Sequence, residues 1–393
     1  MEPLLPDPKD PRLSELSQAV AVATGRLDGA VHCPAVRAEL ASLIRTMNCY
    51  YSNLIEGHRT LPRDIEQANQ DKLSTDPEQR NNQLLAQAHI DTEEAMVLRL
   101  EDETLDVYAP EFICWIHEHF YSRLPDALHV SHTESGEEYR VTPGKMREVM
   151  VDVGRHTPPD FSALQGFMDR FHVFYGQTPI RATDRLTAIA AAHHRLAWIH
   201  PFGDGNGRVV RLHSHALLLR HGLDGGGLWT LSRGLARMRE TYFTRLQEAD
   251  RPRENDYDGR GNLSARALSR FCVFFLETIL DQVQFMSGLL DLTALRTRIE
   301  RYFQFEALHL PRHQEAIMKV TRALADEGEF PRERVKQITG KGATTAAEII
   351  KLGLAEGYFQ SPSQKGILRI AFPSKTLPFY FPSLFMDLPV VTK

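Results

Sequence analysis

The sequence predicts a mainly α-helical protein with one inserted β-hairpin and a winged helix near its C-terminal end. Residues 31–290 consist mostly of helical segments broken by short loops. Within them, residues 183–198 (TDRLTAIAAAHHRLAW) are rich in Ala and Leu and lack Gly and Pro, which predicts a buried helix. Residues 135–159 interrupt these helices with a hairpin-like pattern. The last hundred residues predict three helices and a short strand.

The composition is that of an ordinary globular chain. Its 393 residues are 42% hydrophobic and 25% charged, which is sufficient for two or three domains. No apolar run approaches the roughly 20 residues that span a membrane, so we expect no membrane partner. The beginning, MEPLLPDPKDPRL, lacks the features of a signal peptide. The cysteines have no CxxC spacing, which argues against a zinc site or a disulfide framework and predicts a cytoplasmic protein.

The N-terminal third contains one strong helix prediction. Residues 1–30 begin with a proline-rich, acidic stretch, and we expect them to form an irregular arm. Residues 36–55 predict a helix that ends in the sequence SNLIEG, residues 52–57. Taken alone, this sequence is an ordinary helix C-terminus closed by Gly57.

The hairpin is predicted from alternating apolar and polar residues. Residues 149–156 (VMVDVGRH) show this alternation after Tyr139, Arg140 and Gly144, which indicates a short strand or hairpin. A plain surface hairpin would explain the same pattern.

The most informative stretch is residues 200–211, HPFGDGNGRVVR. Pro201 should end the preceding helix, so His200 lies at a helix exit. Gly203, Gly205 and Gly207 permit positive φ and a close approach of the backbone to a ligand. A second helix is expected to start near Asn206 and to continue to residue 220.

A glycine-rich turn that leads into a helix N-terminus is an anion site, because free N–H groups and the helix dipole point there. Arg208 and Arg211 are three residues apart and share one helix face, and guanidinium groups suit phosphate oxygens. Asp204 offers an oxygen ligand for Mg²⁺, which often binds one or two carboxylates and substrate phosphates. His200 can accept a proton near neutral pH. Together these residues indicate a Mg²⁺-nucleotide with a base beside it.

Each feature alone has a structural explanation: a glycine turn, a capping histidine, a solvated arginine face. Their coincidence within twelve residues makes a purely structural explanation unconvincing. The stretch is also not a P-loop, because GxxxxGK[ST] is missing, which disfavours ordinary P-loop phosphoryl transfer.

The stretch resembles the motif HxFx[D/E]GNGRxxR of the Fic family at every fixed position. The family transfers a nucleotide monophosphate, usually AMP from ATP, to a protein hydroxyl, and some members remove AMP. The resemblance implies that His200 is the base on the target hydroxyl and that Asp204 is the Mg²⁺ ligand. It also implies the phosphate contacts, which come from Gly205, Asn206 and Gly207 for the α and β phosphates and from Arg208 and Arg211 for the outer ones.

Further segments resemble the same family. The sequence SNLIEG is similar to its inhibitory motif [S/T]xxxE[G/N], which implies regulatory roles for Ser52, Glu56 and Gly57. The carboxylate of Glu56 would pair with Arg211 and block the γ-phosphate. The family also places a β-hairpin flap near residues 149–156, where it holds the target chain by strand addition. The polar loop 250–262 would lie near the site and help to bind the base or the target.

The C-terminal region predicts helices at residues 314–325, 332–339 and 344–356 and a strand at 367–372. This order suggests a winged helix, a fold that often binds DNA. Residues 291–393 contain 15 Lys and Arg against 11 Asp and Glu, and the would-be recognition helix has little positive charge. Strong phosphate neutralisation needs more cations on one face. We therefore favour target docking or assembly over DNA binding.

These observations predict three regions: a helical region with the inhibitory helix (1–110), a Fic catalytic core (111–290) and a winged-helix-like domain (291–393). The expected activity is Mg²⁺-dependent transfer of AMP from ATP to a Ser, Thr or Tyr hydroxyl of a target protein, with autoinhibition by Glu56. Removal of AMP, with Glu56 orienting a water, and a nucleotide-sensing DNA-binding regulator are the alternatives. The expected partners are ATP and the target protein; a homodimer and DNA stay open.

Overall fold

The computed structural model describes residues 1–7, 10–132, 136, 138–151, 156–310 and 312–385. Within them the chain is mostly helical, as predicted, with five short strands. The first eight helices are α1 Pro11–Asp28, α2 Pro34–Ile55, α3 Pro62–Ala68, α4 Pro77–Arg99, α5 Pro110–Tyr121, α6 Leu164–His172, α7 Arg185–Ile199 and α8 Asn206–Arg220. The others are α9 Leu231–Arg237, α10 Arg239–Ala249, α11 Ala265–Leu289, α12 Leu292–Phe305, α13 Gln314–Glu327, α14 Arg334–Thr339, α15 Ala343–Ala355 and α16 Leu377–Tyr380. The strands are β1 Val130–His132, β2 Glu138–Arg140, β3 Glu329–Phe330, β4 Phe359–Gln360 and β5 Leu368–Ile370.

The expected irregular arm at residues 1–30 is wrong, because most of this segment is helix α1. Asp10 caps the helix by accepting a hydrogen bond from the Arg12 N–H at 3.1 Å. Leu13, Val20 and Leu27 recur every seven residues, so they lie on one face and are buried where α1 packs against α11. The prolines at the start therefore precede a helix and do not prevent one, since Pro is tolerated in a first turn.

The centre of the molecule is the pair α7 and α8, which were both predicted. Helix α7 is almost entirely buried and packs against α8 and α11. Its small residues, Ala190, Ala191 and Ala192, are fully buried and permit close packing of its neighbours. The loop that joins α7 to α8 carries the predicted site, and both of its ends are therefore held by buried helices.

The hairpin lies earlier in the chain than predicted. Strands β1 and β2 pair antiparallel, with Val130 opposite Arg140, whereas residues 149–151 form no strand. Residues 152–155 of the predicted strand lie outside the described residues. The segment after β2 is held by a side chain, because the Arg147 guanidinium donates to the carbonyls of Val149 and Pro159. In the described residues 149–151, the alternation of polar and apolar residues accompanies a backbone held by one side chain and not a strand.

The C-terminal region contains the predicted elements to within two residues at each end: helices α13, α14 and α15 and strand β5. Two short strands that we did not predict flank β5, and the antiparallel sheet has the order β3-β5-β4. The assignment to the winged-helix class stays a prediction, as does the division of the chain at residues 110 and 290.

The end of the described chain returns to helix α2. The Tyr51 hydroxyl donates to the Leu384 carbonyl at 3.0 Å, and the rings of Tyr51 and Phe385 are stacked. The Arg233 guanidinium binds the neighbouring Ser383 carbonyl at 2.7 Å. Helix α2, which ends beside the predicted site, thus contacts the C-terminal region, and it also packs against α8 and α9.

Among the described residues, no single helix combines the length and the apolar composition that a membrane span requires. Helices α11 and α12 have sufficient length and apolar composition only when they are taken together, and the chain bends by 60° at their junction.

Candidate functional site

The loop between α7 and α8 is a turn closed by its own asparagine. His200 ends α7 in the left-handed conformation (φ 50°), and Gly205 precedes α8 at φ 76°. The Asn206 side chain accepts from the Phe202 N–H at 2.9 Å and donates to the Phe202 carbonyl at 2.7 Å. This side chain is buried, and both its oxygen and its nitrogen bond the backbone of the same turn.

Two tyrosines from distant segments lie against the turn. A Cβ at Gly203 would lie 2.8 Å from the Tyr139 ring, and a Cβ at Gly205 would lie 2.7 Å from the Tyr121 ring. Both approaches are closer than Cβ atoms tolerate. The Tyr139 hydroxyl also donates to the Gly203 carbonyl. Glycine is therefore required at both positions by packing, in addition to the positive φ at Gly205.

Asp204 projects from this turn as an exposed carboxylate. Its Oδ2 accepts a hydrogen bond from the Tyr121 hydroxyl at 2.7 Å, and its backbone carbonyl accepts one from His117 Nε2 at 3.2 Å. Because the Gly144 N–H donates to His117 Nδ1, the proton of that neutral ring is on Nε2. Burial lowers the pKa of His117 to about 4, so the ring is neutral near pH 7.

The carboxylate of Asp204 fits a magnesium ion that is shared with a nucleotide. Within the described ranges, no group of three or more His, Cys, Asp and Glu side chains could hold a metal ion alone. Mg²⁺ usually keeps several waters and binds one or two carboxylates together with substrate phosphates. A single exposed carboxylate beside an anion site is consistent with that mode of binding.

His200 is half-buried at the helix exit, and its backbone is held by Arg147. The Arg147 guanidinium donates to the His200 carbonyl, and the Arg147 N–H donates to the Pro201 carbonyl, both at 2.9 Å. Burial lowers the pKa of His200 to about 4, with smaller contributions from His156 and Arg147. The imidazole is therefore neutral near pH 7 and able to accept a proton.

Arg208 and Arg211 are both buried and both face helix α2. Arg208 Nε donates to Asn53 Oδ1 at 3.2 Å, whereas its Nη2 is buried and has no hydrogen-bond partner in the described part of the chain. Arg211 Nε donates to Ser52 Oγ at 3.0 Å, and its Nη2 donates to the Ser52 carbonyl at 3.1 Å. Two cations thus lie side by side, and one of them has an unused donor.

The carboxylate of Glu56 occupies the anion site. Its Oε1 lies 2.5 Å from Arg211 Nη2, and a Cβ at Gly207 would overlap the same oxygen, so the carboxylate lies directly over the first turn of α8. Burial alone would raise the pKa of Glu56, but the charges of Arg211 and Arg208 lower it below its ordinary value. Glu56 is therefore an anion where the sequence predicted phosphate.

The sequence SNLIEG is both a helix end and a contact of the site. Helix α2 ends at Ile55, and Gly57 follows with φ 89°, its N–H bonded to the Leu54 carbonyl at 3.1 Å. This left-handed residue turns the chain away directly after Glu56. The two interpretations of the segment are thus compatible, because the helix end delivers the carboxylate to Arg211.

A cavity of about 170 Å³ adjoins these groups. Its lining includes Glu56, His200 and Arg211, and also Tyr242 and Asp250. Ligand pockets usually measure about 300–1,000 Å³, so the cavity is small while Glu56 is in place. Asp250 belongs to the loop 250–262, so one end of this loop lies at the cavity, as expected.

The structure brings Ser52 and Glu56, at the end of α2, to Arg211, which follows His200 and the loop residues Gly203, Asp204, Gly205, Asn206, Gly207 and Arg208. Gly57 lies just beyond the end of α2, where its N–H bonds the Leu54 carbonyl, and does not contact the loop. Sequence analysis missed Tyr121, Arg147 and Tyr242. No motif or spacing in the sequence marks these residues, since each comes from a different helix or loop and reaches the site only in the folded chain.

Comparison with known proteins finds a family match over the segment that contains the loop 200–211. Residues 104–218 match the model of the Fic/DOC family. The protein adenylyltransferase Fic of Culex quinquefasciatus is 34% identical over 107 residues, 27% of this chain and 21% of that protein. The protein of the same name from Drosophila mojavensis is 35% identical over 102 residues, 26% of this chain and 20% of that protein. The chain thus matches about a fifth of the length of these curated relatives.

Solved structures extend the similarity in fold to most of the chain. A Fic family protein from Desulfovibrio desulfuricans G20 superposes with a TM-score of 0.54 at 19% identity and covers 93% of this chain and 98% of its own. A Fic domain-containing signalling protein from Bacteroides thetaiotaomicron has a TM-score of 0.50 at 15% identity, over 69% of this chain and 96% of its own. At these identities the comparison concerns the fold alone.

Proposed function

We propose that this chain, whose residues 104–218 form a Fic/DOC domain, transfers AMP from ATP to a hydroxyl of a target protein. The proposal rests on the site and on relatives that are named protein adenylyltransferases. The observation that carries it is the carboxylate of Glu56 on Arg211 and over Gly207, because it marks a site for anionic groups on a buried arginine, in a cavity that a neutral histidine also lines.

In the proposed reaction, His200 is the base. Its pKa is lowered to about 4, so the ring is unprotonated at neutral pH and can take the proton of the target hydroxyl. The hydroxyl oxygen then forms a bond to the α-phosphorus while the bond between that phosphorus and the bridging oxygen breaks. Pyrophosphate leaves, and AMP remains on the target as a phosphodiester.

The phosphates would be held by backbone N–H groups and by arginines. The first N–H groups of α8, at Asn206 and Gly207, have no intrahelical acceptor and point out of the helix end. Arg208 and Arg211 would bind the outer phosphates, and Mg²⁺ on Asp204 would neutralise their charge when bound. Because these groups are held by packing before the substrate arrives, catalysis would rest on positioning and electrostatics.

We further propose that Glu56 inhibits the transfer. Its carboxylate occupies the position of an outer phosphate on Arg211, and the side chain of that arginine is only 3% exposed. A buried guanidinium cannot serve a carboxylate and a phosphate at the same position. Productive binding of ATP therefore requires Glu56 to withdraw.

The target would be a protein with a Ser, Thr or Tyr hydroxyl, and the hairpin β1–β2 would hold it by strand addition. Tyr139 connects this hairpin to the catalytic turn through its hydrogen bond to Gly203. A segment bound to the hairpin would therefore lie close to the loop that carries His200. The C-terminal region would serve target docking or assembly.

Removal of AMP is a second candidate function, because Glu56 and His200 line the same cavity. A water between the two side chains would be oriented by the carboxylate for attack on a phosphodiester. In this reaction Glu56 is required, whereas in the transfer reaction it is inhibitory.

The test uses ATP labelled at its α-phosphate, the wild-type chain and its Glu56→Gly variant, with a cell lysate as the source of targets. The transfer function predicts weak labelling by the wild type and strong labelling by the variant. If the variant gives no labelled protein but the wild type removes label from a pre-modified target, the chain is a remover of AMP. DNA binding at 100–200 mM salt would instead support the regulator alternative.

A further inference from the structure

A chain of buried hydrogen bonds joins Arg211 to three helices of the core. Tyr242, on α10, lines the same cavity as Arg211 and interacts with its guanidinium. The Tyr242 hydroxyl lies 2.8 Å from His193 Nε2. His193 Nδ1, on α7, lies 2.7 Å from Ser214 Oγ on α8. Tyr242, His193 and Ser214 are at most 3% exposed, so water does not compete for these bonds.

The direction of each hydrogen bond in this chain follows from Ser214, at its far end from Arg211. Ser214 donates its only proton to the Val210 carbonyl at 2.9 Å, so His193 Nδ1 must be the donor to the serine oxygen. His193 Nε2 is then an acceptor for the Tyr242 hydroxyl proton. The lone pairs of the Tyr242 oxygen are left to face the N–H groups of Arg211.

The charge states agree with this order. Burial, followed by the charge of Arg211, keeps the pKa of His193 well below its ordinary value, so the ring is neutral. Burial raises the pKa of Tyr242 to about 12, so the phenol keeps its proton. This chain of hydrogen bonds therefore has one arrangement of protons, in which the Tyr242 oxygen is left as an acceptor for the Arg211 guanidinium.

Two kinds of group hold Arg211. Ser52 and Glu56 belong to α2, and Glu56 must withdraw before ATP can bind in the proposed function. Tyr242 belongs to α10, which packs against α11 and α9, so it needs no movement of α2. An arginine side chain that loses its hydrogen-bond partners can adopt several rotamers. An acceptor that is already in place keeps it in one of them.

We propose that Tyr242, oriented by His193 and Ser214, is a positioning residue that keeps Arg211 directed at the outer phosphates of ATP once Glu56 has withdrawn. This inference rests on the proposed function, because it requires that ATP be the ligand of Arg211.

The test compares binding of ATP and of AMP by calorimetry in the Glu56→Gly background with Mg²⁺ present. Tyr242→Phe keeps the buried ring and removes only the acceptor, so ATP should bind about tenfold more weakly. AMP has no outer phosphates, so its affinity should stay within about twofold. Any transfer activity should show a raised KM for ATP with kcat largely unchanged.

Three further variants separate positioning from general damage. Tyr175→Phe is the matched control, since this buried hydroxyl donates to the Leu4 carbonyl, away from Arg211. It should change neither affinity. His193→Ala should reproduce the loss of ATP affinity, and His193→Gln should restore most of it, because an amide oxygen can still accept from Tyr242. In an Arg211→Ala protein, Tyr242→Phe should have no further effect.

The outcomes are distinct. If the Glu56→Gly parent binds no ATP, the proposed function is wrong and this inference is wrong with it. If the parent binds ATP but Tyr242→Phe leaves the affinity for ATP unchanged, the positioning role alone is refuted. The same holds if the substitution lowers the affinities for ATP and AMP equally.

Discussion

Replacing Glu56 by glycine should raise the affinity for ATP, and the size of the effect follows from the contact that is lost. The carboxylate accepts a charge-assisted hydrogen bond from Arg211 Nη2, with the two atoms 2.5 Å apart. A hydrogen bond to a charged group contributes about 1.5–3 kcal/mol. Because ATP must displace the Glu56 carboxylate from Arg211, the Glu56→Gly substitution should tighten ATP binding roughly ten- to hundredfold.

The same substitution should lower the stability of the protein without nucleotide. Removing one partner of a fully buried ion pair typically costs about 3–5 kcal/mol. The Glu56 side chain is 30% exposed, so water relieves part of this loss, and on the order of 1–3 kcal/mol remains. The Tm of Glu56→Gly should therefore be lower than that of the wild type without ATP and should rise more when ATP is added.

The assay is calorimetric titration with ATP and Mg²⁺, supported by thermal unfolding at several ATP concentrations. Glu56→Gln separates charge from volume and should give an intermediate affinity. Glu94→Gln is the matched control, because Glu94 pairs with Arg45 at 2.7 Å on α4 and α2, away from the loop. Equal ATP affinity in the wild type and in Glu56→Gly would refute the assignment of Arg211 to the phosphates.

Three further predictions concern the loop itself, and all are measured in the Glu56→Gly background. His200→Ala should abolish transfer while leaving ATP affinity within about threefold in calorimetry, because the ring is expected to move a proton and not to hold phosphate; transfer within threefold of the parent would remove it from the mechanism. Asp204→Ala should reduce transfer by on the order of a hundredfold and weaken the dependence on Mg²⁺ in a metal titration; transfer that persists in EDTA would contradict this role. The third prediction concerns pH: the pKa of His200 is lowered to about 4, so the neutral base is lost only as pH falls towards that value. A plot of kcat/KM between pH 5.5 and 8 should therefore lack an acid limb from this residue, and a limb near 6.5 would contradict the assignment.

The parts of the site that sequence could predict are those that are local in the chain. Pro201 after a helix predicts the exit at His200, and glycines before an apolar segment predict the N-terminus of α8, because both signals act through φ and ψ of adjacent residues. The structure has both features. The direction of Arg208 and Arg211 towards the same side follows from helical spacing alone.

The parts that sequence did not predict depend on contacts between distant segments. The prolines before residue 12 suggested an irregular arm, whereas burial of Leu13, Val20 and Leu27 against α11 stabilises a helix. The alternation after residue 149 suggested a strand, whereas Arg147 holds that backbone by its side chain. In both cases tertiary packing decides between local preferences of similar strength.

The ion pair at the centre of the site shows why a contact between distant segments is harder to predict than a turn within one segment. Glu56 and Arg211 are 155 residues apart, and nothing in the spacing of either segment requires them to meet. Their contact depends on how α2 is held, and α2 is packed against α9 and α4 and bonded through Tyr51 to Leu384 near the end of the described chain. The position of the carboxylate is therefore set by the whole fold. A change in any of these contacts that moves the end of α2 by the length of one hydrogen bond would break the pair, whereas the catalytic turn, closed by Asn206 on its own backbone, would keep its shape.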